Sequence, residues 1–214
     1  MTAFQFGDII FLAVWTAFFL IFPKTRKLQL FGSLLLIPFG LLDVWFRPEY
    51  WNPPLLIKVI EPFSIETPIY CFCAGGIAAV IGSFFVANNH EFKLCWRNIF
   101  LFLAVGFFLF AFFKSLTNLN AMNCLNFSFL IVWVFLVFFK VKNGWRSIAS
   151  AVIFGVFTIG AVSLGLIFFP NFVSDYWNLS KNWPLFLNTP TEEIFFAGVL
   201  GALWAILPKY LKSC

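Results

Sequence analysis

Seven long apolar runs, separated by short polar connections, make up most of the chain. A bilayer-spanning helix needs about 20 mostly apolar residues, and runs of that kind lie at about 6–22, 28–46, 65–87, 96–114, 124–139, 146–170 and 191–211. The fifth is the shortest. The pattern predicts an all-α fold: a polytopic membrane bundle of about seven transmembrane helices. The first run is not a cleavable leader. No basic stretch precedes it, Asp8 stands at its head, and Lys24, Arg26 and Lys27 follow it.

Composition agrees. Of the 214 residues 62% are hydrophobic, 22% aromatic and 11% charged, against about 25% charged in a soluble domain. The net charge of +5 does not point to nucleic acid, because the cations sit in clusters beside the apolar runs. One set of connections holds Lys24, Arg26, Lys27, Lys93, Arg97, Lys140, Lys142, Arg146, Lys209 and Lys212. The other set holds only Arg47, Lys58, Lys114 and Lys181. That bias places the C-terminus in the cytoplasm and the N-terminus outside. The two longest connections, about 47–64 and 171–190, then lie on the outer side. The five cysteines read as small core residues, with no zinc-type spacing. The one histidine, His90, cannot build a metal site alone.

The chain also repeats itself. At an offset of 126 residues, Glu49-Tyr50-Trp51-Asn52 falls on Asp175-Tyr176-Trp177-Asn178, Glu66 on Glu192 and Gly75 on Gly201. Spans two and three map onto six and seven, and span one roughly onto five. The predicted organisation is a parallel 3+1+3 repeat: residues 1–87, a linking helix within 88–123, and 124–214. Equivalent spans run in the same direction, so the repeat axis lies along the membrane normal. The two outer loops should meet near it.

Ionisable groups at membrane depth are costly and are functional candidates. Asp43, Glu66, Glu192 and Glu193 qualify, all toward the outer face. The repeat favours Glu192, because it matches Glu66. Capping is the competing account: Thr189-Pro190-Thr191-Glu192 has capping-box form with Pro at the first helical position. For Glu66 that account requires Ser64 as the cap. Two carboxyls approaching across an apolar axis would supply a general acid. Tyr50, Trp51, Tyr176, Trp177 and Trp183 are either walls of such a site, able to stabilise a cation, or an interfacial aromatic belt. Asn52 and Asn178 are expected to cap or turn the loops. Asp43 stands one turn before Arg47 and can pair with it. No nucleotide fingerprint occurs. Clustered aspartates for metal-bound diphosphate are also missing. No cofactor and no metal are predicted.

These residues give the chain a resemblance to a family. It resembles the small integral-membrane lycopene cyclase domains, the heterodimeric or two-domain carotenoid cyclase type. In that family each copy of a three-span repeat has a Trp-rich outer segment followed by a Pro-x-Glu-Glu or Pro-x-Glu-Asp motif. Pro190-Thr191-Glu192-Glu193, followed by Ile194-Phe195-Phe196, looks like the second copy. Leu42-Asp43-Val44-Trp45, Tyr50-Trp51-Asn52-Pro53 and Ser64-Ile65-Glu66-Thr67 look like a degraded first copy, with Ser64 for the motif Pro and Thr67 for its second acid. The resemblance implies redox-neutral, acid-catalysed cyclisation of lycopene-like polyene ends to β-rings. It implies Glu192 and Glu66 as the acid–base pair, with Asp43 and Glu193 tuning them. Tyr50, Trp51, Tyr176, Trp177 and Phe196 would contact a polyene or other isoprenoid lipid, within the bilayer and in a homo- or hetero-oligomer. The alternative is a non-catalytic membrane protein that binds a lipid or pigment in the same cleft.

Overall fold

The computed structural model describes residues 2–47, 49–53, 58–60, 63–86, 95–178 and 184–212. Its helices are α1 (Ala3–Ile21), α2 (Arg26–Leu36), α3 (Asp43–Phe46), α4 (Glu66–Phe85), α5 (Trp96–Leu116), α6 (Ala121–Phe139), α7 (Ser147–Phe168), α8 (Phe172–Tyr176) and α9 (Thr191–Lys212). Among the described residues seven segments are long and apolar enough to cross a membrane: Ala3–Ile21, Pro23–Phe46, Glu66–Phe85, Trp96–Leu116, Ala121–Phe139, Gly144–Phe168 and Thr191–Leu211. The expected all-α, multi-pass bundle is therefore present, with ends shifted by a few residues. Span five is full length because Asn120 starts it earlier than the apolar run suggests.

Local chemistry sets these ends. The Thr2 hydroxyl accepts from the Gln5 N–H, and the Gln5 side chain returns a bond to the Thr2 N–H, a reciprocal cap. Asn120 caps α6 in the same way, accepting from the Asn123 N–H at 2.9 Å. Span two is not one continuous α-helix. Pro38, which has no N–H, sits in a 3₁₀ stretch over Ile37–Leu42 before α3 resumes. Helix α4 starts at Glu66, directly after Ile65, with no side-chain cap bond at that residue; the Ser64 side chain lies outside the described ones. Pro190 is not a first helical residue. It lies in a two-residue strand, Thr189–Pro190, paired antiparallel with Leu185–Phe186. A matching hairpin, Lys58–Ile60 with Phe63–Ser64, precedes α4.

The centre of the bundle is α4 packed on α9, the two most buried spans. Lipid tails are as apolar as leucine, so close packing and buried polar bonds hold such helices together. Small residues allow the approach. Gly82 lies directly against Ala205 of α9. A Cβ added at Gly32 would stand 2.6 Å from the Ala79 Cβ, and one at Gly201 would stand 2.8 Å from the Ser150 carbonyl oxygen. The α2–α4 and α7–α9 contacts are built alike. Indoles fasten the outer pairs: Trp15 Nε1 donates to Ser33 Oγ at 2.9 Å, and Trp133 Nε1 to Ser147 Oγ at 2.8 Å. The α5 helix lies against α6 and α9 and exposes Phe100, Phe108 and Phe112.

Cys71, Cys73 and Cys124 are free and buried, as small core residues should be. Cys95 is not one of them: it is disulfide-bonded. His90, Lys93, Lys181, Trp183 and Cys214 lie outside the described residues.

Candidate active site

The two Tyr-Trp-Asn segments meet. The Asn52 N–H donates to the Tyr176 carbonyl at 2.7 Å, and the Asn178 N–H donates to the Tyr50 carbonyl at 2.9 Å. This reciprocal pair makes an antiparallel bridge between Trp51 and Trp177, whose rings lie 5.9 Å apart. Asn52 and Asn178 therefore act through their backbones, joining the segments to each other. Trp177 is 8% exposed and Tyr50 is fully buried. They belong to the interior, not to an interfacial belt. Glu49 anchors its segment further, accepting from Lys114 Nζ at 2.7 Å and from the Ala121 N–H at 3.0 Å. Its counterpart Asp175 is exposed.

Under this bridge is a cavity of about 130 Å³. The wall is mostly aromatic and aliphatic, including Phe4, Phe11, Phe39, Phe46, Phe172 and Phe196. Three carboxyls interrupt it: Asp8 from α1, Asp43 from α3 and Glu193 from α9. Trp51 and Trp177 line it as well. Of the nine residues singled out in the sequence, the cavity brings together five: Asp43, Glu193, Trp51, Trp177 and Phe196. Glu66, Glu192, Tyr50 and Tyr176 are not among its lining residues.

Each carboxyl has its own surroundings. Asp43 is 1% exposed. Its Oδ2 accepts from Arg47 Nε at 2.8 Å, the expected i, i+4 pair, and from Thr67 Oγ1 at 2.9 Å. The Arg47 guanidinium also lies over the Trp51 ring, 5.7 Å from its centroid. Glu193 has the Trp177 indole and the Tyr50 hydroxyl as polar neighbours. Burial, reinforced by the charges of Glu193 and Glu192, holds the Tyr50 phenol well above its ordinary range, so it stays a neutral donor. Behind Glu193, Glu192 is fully buried, with Asn120 Nδ2 at 3.4 Å from its Oε1. Glu66 is also buried and lies within electrostatic reach of Asp8.

Asp8 and Thr67 are among the polar lining residues that the sequence did not single out as site residues. Asp8 served only as a sign against a leader peptide. A usable signal was its spacing: Phe4, Asp8 and Phe11 recur at helical intervals on one face, and that face lines the cavity. No group of three or more metal-binding side chains occurs among the described residues.

An apolar cavity with carboxyls in its wall can protonate an apolar guest and shelter the resulting cation from water. A dry cavity of about 150 Å³ holds benzene, so this one suits a group the size of a single six-membered ring. Comparison with family models, curated proteins and solved structures returned no match for the chain.

Proposed function

We propose that the protein is a membrane-embedded enzyme of carotenoid type, cyclising lycopene-like polyene ends to β-rings by acid catalysis. One observation carries this reading: a ring-sized apolar cavity, walled by aromatic faces and holding three carboxyls. The substrate would lie in the bilayer and insert one end. The resemblance to the lycopene cyclase domains points the same way. The orientation is part of the same proposal: the cationic bias favours a C-terminus on the cytoplasmic side.

The 3+1+3 repeat belongs to the same proposal. Several features support it: the reciprocal Tyr-Trp-Asn bridge, the two hairpins before α4 and α9, and the Trp–Ser bonds in each half. So does the match of α1 with α6. Both have 19 residues and side-chain-capped starts, and at an offset of 118 Trp15 meets Trp133 and Phe11 meets Phe129. On that reading the cavity straddles the repeat axis.

In the reaction, Glu193 gives its proton to the terminal double bond, leaving a tertiary cation. The neighbouring double bond attacks that carbon and closes the ring. Loss of a proton beside the new cationic centre restores neutrality, so no oxidant or reductant is consumed. The Trp51 and Trp177 faces stabilise the cation, each cation–π contact contributing about 2 kcal/mol when desolvated. The Asp43 carboxylate, fixed by Arg47 and Thr67, adds a preorganised negative charge at the wall. Glu192 and Glu66 support the helix starts and the field behind the cavity.

The test is expression in a lycopene-accumulating host with chromatography of the pigments. A ring-bearing product is expected, reduced about 10²–10⁴-fold in Glu193→Gln and less in Glu192→Gln. Unchanged lycopene beside well-inserted protein would contradict the reading. Co-purifying but unreacted polyene would leave the chain a pigment-binding protein.

A further inference from the structure

We infer that Asp8 is a further catalytic residue, the base that removes the proton from the cyclised cation. The inference rests on the cyclisation reading above and adds a residue that neither the motif nor the repeat singled out. Asp8 lies on α1 between Phe4 and Phe11, and all three line the cavity with Gly7. It has no hydrogen-bond or ion-pair partner among the described residues. The reaction as described has a proton donor and a charge-stabilising aspartate. It lacks an acceptor, and Asp8 is the cavity carboxyl left over.

The match of α1 with α6 sharpens the assignment. Phe4 and Met122 occupy matching positions, as do Gly7 and Leu125, and all four line the cavity. The match fails at Asp8. Its counterpart Asn126 is fully buried and donates from Nδ2 to the Glu192 carbonyl at 3.1 Å. The second half therefore spends an amide on the backbone where the first half turns a carboxyl to the cavity. At the helix α4/α9 starts the asymmetry is reversed: Glu193 lines the cavity from the second half, and Thr67 stands at that place in the first. Each half thus contributes one cavity carboxyl free of the Asp43–Arg47 pair. The two come from different helices, as a donor and an acceptor for opposite ends of one reaction should.

The proton balance closes. After ring closure the positive charge sits beside a C–H bond. An Asp8 carboxylate oxygen takes that hydrogen as a proton, and the C–H electron pair becomes the ring double bond. Asp8 ends neutral and Glu193 ends as a carboxylate. Passing one proton from Asp8 to Glu193 resets the site. The Tyr70 side chain also lines the cavity, its ring 5.0 Å from that of Phe11.

The experiment uses the full chain in membranes supplied with lycopene in D₂O. Product and recovered lycopene are both analysed by mass spectrometry. In Asp8→Asn, ring product should fall about 100-fold or more, while recovered lycopene gains deuterium, because protonation still occurs and reverses. Asp8→Glu should recover part of the ring yield, which also shows that the helix tolerates change there. Wild-type ring yield in Asp8→Asn overturns the assignment. Loss of both product and exchange in Asp8→Asn also overturns it, because a base is not needed for the first proton. If the wild-type chain itself neither cyclises nor exchanges lycopene, the cyclase reading falls and this inference falls with it.

Discussion

Trp15 reaches Ser33 in the first half of the bundle, and Trp133 reaches Ser147 in the second. Gly75 lies against α2 much as Gly201 lies against α7. These contacts lie between neighbouring helices, where they hold the helices together. The halves diverge where they face the cavity. Thr67 and Glu193 stand at matching places, as do Asp8 and Asn126. They diverge again on the lipid side. Phe72 packs on Trp15, their rings 5.0 Å apart, but Gly198 stands at the matching place in the second half. There Trp133, Gly155 and Gly198 border an open apolar groove of about 670 Å³. Common features serve assembly, and differences collect at surfaces that meet a guest or the bilayer. On the repeat reading proposed above, the consequence for chemistry is one asymmetric site on an axis, not two equal ones.

The comparison breaks most visibly at its acids. Glu193→Gln should lower ring formation about 10³-fold. Thr67→Val, its counterpart, should cost only about tenfold, since it removes one bond to Asp43. Equal losses, read as product per unit of inserted protein, would make the cavity functionally symmetric. Glycines come next. Gly82→Ala forces a side chain into Ala205 and should destabilise the bundle by about 1–3 kcal/mol. Gly198→Ala meets nothing closer than 3.8 Å and should be neutral or stabilising by up to about 1 kcal/mol. Denaturation in mixed micelles measures both. Smaller still, Trp15→Phe and Trp133→Phe should each cost about 0.6 kcal/mol for the lost bond. A large difference between them would show that the units are not equivalent. A final sharpening concerns the hairpin before α9. Leu187 and Asn188 both have positive φ, 49° and 58°, a turn geometry that suits Asn and Gly. Leu187→Gly should relieve about 1 kcal/mol of backbone strain, visible as a small rise in midpoint.

Much of the helical architecture is legible in the sequence, because span length is set by the bilayer itself. The meeting of the two Tyr-Trp-Asn segments is legible too, since Tyr50-Trp51-Asn52 recurs unchanged as Tyr176-Trp177-Asn178. The cavity-facing acids are harder to read. The repeat singles out Glu66 and Glu192 because they are identical. Identity reports what the halves share, and here that is a buried glutamate in the first turn of each helix. The next residue on the helix points about 100° away. Only the packing of α4 on α9 reveals that Thr67 and Glu193 are the pair turned to the cavity. Asp8 is obscured for a related reason. A lone acid at the head of the first span reads as a sign against a leader peptide until α1 is placed beside the cavity. Cys95 looks like the other small apolar cysteines, since nothing in its sequence neighbours signals that it is disulfide-bonded.

The central claim is that a carboxyl of this cavity protonates a polyene end and that the ring closes without redox change. The direct measurement is mass spectrometry of pigment from membranes holding the full chain and lycopene, incubated in H₂O or D₂O. The account predicts a ring product with the mass of lycopene in H₂O and one added deuterium per ring in D₂O. Ring product without label, a product of different mass, or unlabelled and unreacted lycopene beside intact, inserted protein would contradict it.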